Sequence, residues 1–166
     1  LIFSIRNVKN VTIPDFIEII GPKTFYGYMD IRRVNISNNS KLKIIDKYAF
    51  SCTMIKKIAI PPHLTHINEF AFASCFELQT VDMSSNSKLQ VIGEKAFFNS
   101  SIFSISIPKN VVRIDEFAFY SCKELRIFEV DENSKIECLY QNIFMECDKI
   151  VVMIPTRLRK RLIENK

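Results

Sequence analysis

The sequence predicts a repeat solenoid, α/β in class but mainly β, with a concave parallel sheet of about seven short strands and short helical turns on its outer side. Three observations predict it. The chain repeats itself at a shift of 47 residues, seven apolar triplets recur every 23 or 24 residues, and phenylalanine returns in phase with both.

The repeat is legible in Lys41-Leu42-Lys43-Ile44-Ile45-Asp46-Lys47-Tyr48-Ala49-Phe50, which returns as Lys88-Leu89-Gln90-Val91-Ile92-Gly93-Glu94-Lys95-Ala96-Phe97, with a third copy opening at Lys135-Ile136. A second, unlike unit is related by the same shift: Thr65-His66-Ile67-Asn68-Glu69-Phe70-Ala71-Phe72 becomes Val112-Arg113-Ile114-Asp115-Glu116-Phe117-Ala118-Phe119. Periods of this length identify stacked supersecondary units, none of which can bury its apolar face alone.

The triplets start at Val11, Val34, Ile58, Val81, Ile105, Phe128 and Val152. Each alternates apolar, variable, apolar, the pattern of a strand with one face in a core. Successive rungs then pair their strands in parallel. Every second strand ends at a proline (Pro14, Pro61, Pro108, Pro155), whose missing N–H stops a ladder. The others run into Ser37-Asn38-Asn39-Ser40, Ser84-Ser85-Asn86-Ser87 and Asp131-Glu132-Asn133-Ser134, whose short polar side chains can hold a corner.

After each corner comes an apolar pair three apart, such as Leu64 and Ile67, and then an Ala-Phe step at residues 49–50, 71–72, 96–97 and 118–119. These steps are expected to form single helical turns. Alanine lets rungs approach and phenylalanine fills the space between them, so the rings should stack into a spine; this accounts for most of the 14 phenylalanines.

At 166 residues the chain fits one domain, with repeats over about 8–154 and a basic C-terminal cap or tail over 155–166. It begins without methionine, which reads as a segment of a longer protein. No stretch approaches the roughly 20 apolar residues of a membrane span, and Leu1-Ile2-Phe3-Ser4-Ile5 has neither a basic leader nor a cleavage site. The net charge is +5, but the cations are spread out. Only Arg157, Arg159, Lys160 and Arg161 cluster, and they read as a solvated terminal face rather than a nucleic-acid patch.

Chemistry-bearing constellations are missing from the sequence. Four of the five cysteines (Cys52, Cys75, Cys122, Cys147) fall at or beside one repeat position and read as small packing residues, with Cys138 apart. No CxxC or Cys/His pairing supports zinc. His63 and His66 read as solvent-facing corner residues. No nucleophile elbow, phosphate loop or HExxH motif occurs, so neither an enzyme nor a cofactor is expected. Asn10, Asn35, Asn38 and Asn99 head Asn-x-Ser/Thr sequons, of which Asn38 and Asn99 lie outside the strands.

In such a coil the middle residue of each triplet faces outward on the sheet, as does the residue two places earlier. The first row is Thr12, Asn35, Ala59, Asp82, Ser106 and Glu129; the second is Asn10, Arg33, Lys57, Thr80, Ser104 and Ile127. From these rows Arg33, Asn35, Lys57, Thr80, Asp82, Ser104, Ser106 and Glu129 are the expected ligand-binding residues. They are basic toward one end and acidic toward the other.

The run Ala71-Phe72-Ala73-Ser74-Cys75-Phe76-Glu77-Leu78, its copy Ala118-Phe119-Tyr120-Ser121-Cys122-Lys123-Glu124-Leu125, and Ile105-Ser106-Ile107-Pro108-Lys109-Asn110-Val111-Val112-Arg113-Ile114 together resemble the BspA-like leucine-rich repeats. Alternation with an Asn-Ser-Lys-Leu unit is similar to versions in surface proteins of parasitic protists. The chain departs from the pattern at Tyr28 and Ser100, where cysteine is expected, at Cys52, one place early, and at Ile143-Phe144 in place of Ala-Phe.

The resemblance implies a right-handed leucine-rich-repeat coil in a secreted or surface-displayed adhesin, recognising a protein or glycan. It implies no shared catalytic residues, and no nucleic-acid partner or membrane insertion is expected. The alternatives are an intracellular interaction scaffold and a spacer within a longer array.

Overall fold

The computed structural model describes residues 8–137, 139–159 and 162–163. Leu1 to Ile5, Cys138, Lys160 and Arg161 lie outside them. The described chain alternates longer and shorter strands: β1 (Asn10–Ile13), β2 (Ile19–Ile20), β3 (Arg33–Ile36), β4 (Ile44–Ile45), β5 (Lys57–Ile60), β6 (His66–Ile67), β7 (Thr80–Met83), β8 (Val91–Ile92), β9 (Ser104–Ile107), β10 (Arg113–Ile114), β11 (Ile127–Val130), β12 (Leu139–Tyr140), β13 (Val151–Met153) and β14 (Leu162–Ile163). A 3-10 turn (Gln141–Phe144) and one helical turn, α1 (Thr156–Arg159), complete it.

The odd-numbered strands form the broad face expected from the triplets. β5, β7, β9, β11 and β13 make one parallel sheet and β1 and β3 another, with the Lys56 N–H donating to the Arg32 carbonyl at 3.3 Å between the two. Each of these strands begins one residue before its triplet and contains it whole, except that the last, starting at Val151, stops short of Ile154. Along each strand burial alternates: Ile58 and Ile60 are buried while Lys57 and Ala59 are exposed.

A second parallel sheet, of two-residue strands in the order β2, β4, β6, β8, β10, runs beside the first. Nothing in the triplet pattern foretold it. It places His66 in a strand, half-buried with Nδ1 2.8 Å from Thr65 Oγ1, and not at a corner. His63 is the exposed corner residue. On this face Gly93 meets the neighbouring rung so closely that a Cβ would lie 2.8 Å from the Asn68 carbonyl carbon and the Glu69 nitrogen.

Both corners behave as their residues dictate. The N–H groups of Ile17, Leu64, Val111 and Leu158 reach back to the carbonyls of Pro14, Pro61, Pro108 and Pro155. At the polar corners the buried hydroxyls of Ser40, Ser87 and Ser134 accept the N–H of Leu42, Leu89 and Ile136 at 3.1–3.2 Å.

The outer turns at the four Ala-Phe steps are not helical. Each carries two residues in the left-handed region four apart: Tyr48 and Cys52, Phe70 and Ser74, Lys95 and Asn99, Phe117 and Ser121, with Lys23 and Gly27 in the turn before them. The reason is a division of hydrogen bonds. Ala49, Ser51 and Thr53 donate within their rung to Asp46, Tyr48 and Phe50, while Tyr48, Phe50 and Cys52 donate across to Glu69, Ala71 and Ala73. A helical turn would spend every N–H inside its own rung. Left-handed backbone costs roughly 1–2 kcal/mol per non-glycine residue, and a cross-rung bond worth about 1 kcal/mol at each such site offsets much of it.

Inside, the expected spine is present. Phe25, Phe50, Phe72, Phe97 and Phe119 stack with centroids 5.0, 5.3, 5.4 and 5.4 Å apart. Alanine precedes every ring of this stack except Phe25, which follows Thr24. The N–H of Phe50, Phe72 and Phe97 meets the carbonyl of Ala71, Ala96 and Ala118 at 2.8 Å. Where Ile143 replaces alanine the bond to Phe119 lengthens to 3.0 Å and the Phe119–Phe144 spacing widens to 6.4 Å.

Candidate binding surface

Exposure of the broad sheet follows from its alternation. Ile13, Val34, Ile58, Val81, Ile105 and Phe128 turn into the core, and the residues between them must turn out. Of the eight expected residues, Arg33, Asn35, Lys57, Asp82, Ser104, Ser106 and Glu129 are exposed and Thr80 is half-buried.

Strand register gathers them into two adjacent columns. Asn10 pairs with Arg33, and Lys57, Thr80, Ser104, Ile127 and Val151 follow one another across the longer sheet. In the other column Thr12 pairs with Asn35, Ala59 with Asp82, and Ser106 with Glu129 and then Met153. Val151 and Met153 were missing from the expected surface. The triplet Val152-Met153-Ile154 already implied an outward Met153 and, two places earlier, an outward Val151, which is 58% exposed.

The columns contact one another laterally. Lys57 Nζ and Asp82 Oδ2 form an ion pair at 2.5 Å, Ser106 Oγ donates to Glu129 Oε2 at 2.9 Å, and Asn35 Nδ2 donates to Thr12 Oγ1 at 3.4 Å. Arg33, in contrast, has no ion-pair partner among the described residues; it lines a shallow depression of about 440 Å³ with Thr12, Asp15, Asn35 and Lys57. The face therefore grades from a depression lined by Arg33 and Lys57 through Asp82, the serines and Glu129 to exposed Ile127, Val151 and Met153.

The described cysteines are held in structural roles. The thiols of Cys75, Cys122 and Cys147 donate to the carbonyls of Phe50, Phe97 and Phe119, each at 3.1 Å, one rung away. Burial pushes Cys75 up to about 12, Cys122 up to about 11 and Cys147 up to about 12, so these sulfurs stay protonated at physiological pH. Cys52 is half-buried; one residue on, the buried Thr53 takes the inward position and donates to the Phe50 carbonyl at 2.8 Å.

Among the described residues no cluster of three His, Cys, Asp or Glu side chains could hold a metal, and no helix is long and apolar enough to cross a membrane. The terminal arginines are engaged with the coil. Arg157 donates to the carbonyls of Ile136, at 2.8 Å, and Ser134, and Leu158 is buried in the core.

A stack of parallel strands with an apolar spine and a varied outward face defines a leucine-rich-repeat solenoid. The chain belongs to the BspA-type family: the profile described as "BspA type Leucine rich repeat region" matches residues 2–90 and 90–161 in 6 copies. Among solved structures, the leucine-rich repeat protein of T. pallidum is similar with a TM-score of 0.78 at 27% identity, covering 89% of this chain and 69% of that one. The pneumococcal vaccine antigen PcpA shares the fold at a TM-score of 0.55 and 19% identity, over 90% of this chain and 51% of its own. A comparison with curated proteins finds no match.

Proposed function

We propose that this chain is a non-catalytic binding module of a cell-surface adhesin, and that the broad sheet is where it holds a protein or glycan ligand. One observation carries the reading. The inward residues of the broad sheet are uniformly apolar, while the outward ones at the same register differ from rung to rung: Arg33, Lys57, Thr80, Ser104 and Ile127 in one column, Asn35, Ala59, Asp82, Ser106 and Glu129 in the other. Packing fixes the first set and is indifferent to the second. Presentation outside the cell rests on the surface proteins that the repeat resembles. The repeats and the C-terminal segment act as one domain, in which Leu158 and Arg157 cover the last rung.

The test is a panel of immobilised extracellular-matrix proteins and glycans probed with this chain and with a variant carrying Arg33→Ala, Lys57→Ala, Asp82→Ala and Glu129→Ala together. The expected result is loss of whatever binding the parent shows, with an unchanged circular dichroism spectrum. Undiminished binding by the variant would remove the broad sheet from consideration. Surface display is checked on intact source cells, where external protease should abolish antibody staining of this segment.

A further inference from the structure

A second surface runs along the corner that leads into the two-residue strands. The backbone bonds Thr65 N–H to Lys43, Gln90 to Thr65 and Val112 to Gln90 fix the register there. Two residues earlier on each rung this register aligns Lys41, His63, Lys88, Asn110 and Lys135 in one column, with Phe16 heading it. All but Asn110 are exposed, and the Phe16 ring is 71% exposed.

The same repeat position is thus lysine in all three Asn-Ser-Lys units, between a buried serine and a buried Leu or Ile. Repetition at the neighbouring positions has a structural reason: the serine accepts a hydrogen bond and the apolar residue packs. The lysine has none. Among the described residues Lys41, Lys88, Lys135 and the adjacent Lys109 make no close ion pair, although Lys41 adds to the positive field on Glu18.

The cations converge on a hollow of about 640 Å³ lined by Lys41, Lys43, Lys88, His63, Thr65 and Glu18 among others. Three lysines face one glutamate, and that glutamate is already taken: Lys43 Nζ donates to Glu18 Oε2 at 2.9 Å, which holds the Glu18 carboxyl below its usual range. Lys88 Nζ lies 3.3 Å from His63 Nδ1 and, having only protons to offer, must be the donor.

We propose that this column is a docking track for a linear sulfated polysaccharide lying along the solenoid axis. Neighbouring rungs are about 4.8 Å apart, so lysines on alternate rungs recur about every 10 Å. Cations at that interval suit a chain with charge clusters once per few sugar units. The amide of Asn39 and the imidazole of His63 offer hydrogen bonds to hydroxyls, and Phe16 offers a face to a sugar ring. Duplex nucleic acid presents a charge about every 1.7 Å along its axis, far denser than this single file. A single strand calls for an aromatic platform at each base, and the column has one ring at its end.

The test measures affinity of the whole chain for heparin, for desulfated heparin of equal length, for polyglutamate and for duplex DNA at one low salt concentration. Heparin should bind and desulfated heparin should not. Lys41→Gln, Lys88→Gln and Lys135→Gln together should weaken heparin by about tenfold, the sum of three modest charge contacts. A control with the same loss of charge elsewhere, Lys9→Gln, Lys123→Gln and Lys149→Gln, should stay within about twofold. The proposal fails if both triple variants lose affinity equally, if the track variant binds unchanged, or if polyglutamate or DNA binds as tightly as heparin.

Discussion

Two columns of side chains run the length of this coil, one inside it and one on the broad sheet, and they are built on opposite rules. The inner column is phenylalanine at every rung, and in its middle four, at Phe50, Phe72, Phe97 and Phe119, the ring stands beside alanine, stacked at about 5 Å and buried. On the sheet no two rungs agree. Both columns share one backbone, so the difference lies in what the environment demands. A buried ring must match the ring above and the ring below, and a mismatch propagates; an outward side chain meets water and its neighbours only loosely. Sameness along a solenoid marks constraint, and difference marks freedom.

The hardest way to break this comparison is to remove a ring from the middle of the spine. Phe97→Ala leaves a cavity between Phe72 and Phe119 and should destabilise the fold by about 3–5 kcal/mol, read from the midpoint of urea unfolding. Phe144 sits 6.4 Å from Phe119, meets Phe128 edge-on at 4.6 Å and is only half-buried, so Phe144→Ala should cost clearly less. Equal losses at the two sites would mean that ring stacking is not what holds the rungs together.

The buried thiols sharpen the comparison through pH. Folding raises Cys75 from 9.0 to about 12 and Cys122 from 9.0 to about 11, so the folded chain holds these protons more tightly than the unfolded one. Their contribution is fully present below about pH 9 and is lost as pH rises toward the folded values, at about 1.4 kcal/mol per pH unit for each thiol. Unfolding free energy should therefore fall between pH 9 and 11. Cys122→Ser, which copies the serine already present at Ser100, should flatten that fall by one thiol's share. An unchanged slope would show that the sulfur is not desolvated.

How much of this was legible in the residues follows the same division. All seven triplets fall in strands, Ile154 alone excepted, because an alternating strand with one buried face writes its period into the sequence. The phenylalanine spine was legible for the same reason. The second sheet was not: pairs such as Ile44-Ile45 or Arg113-Ile114 are too short to show alternation, and their outward member is free to be Ile, His, Val or Arg. The outer turns were misread as helical because Ala-Phe spacing fits a helix, whereas the deciding bonds run to the neighbouring rung and leave no mark in local sequence. The positions of the outward residues were legible from the strand period. Their ligand is not, since freedom from packing removes the pattern that would announce it.

The smallest expected effect tests the freedom of the outward column directly. Lys57 and Asp82 form the shortest ion pair among the described residues, 2.5 Å across adjacent rungs of the sheet, and a contact so close invites a structural reading. Both side chains, however, are half exposed or more, at 62% and 50%. Water screens such a pair, and holding two flexible side chains in one geometry costs entropy, so Lys57→Gln should change stability by no more than about 0.5 kcal/mol. Ile58, the next residue, is fully buried, and Ile58→Ala should cost about 2–5 kcal/mol. The two variants differ by one place along a strand and by which face they touch. If Lys57→Gln proved as damaging as Ile58→Ala, the outward column would be part of the scaffold and its variety would need another cause. If it leaves stability alone and weakens ligand capture, the sheet's variety is available for recognition, because nothing in the fold depends on it.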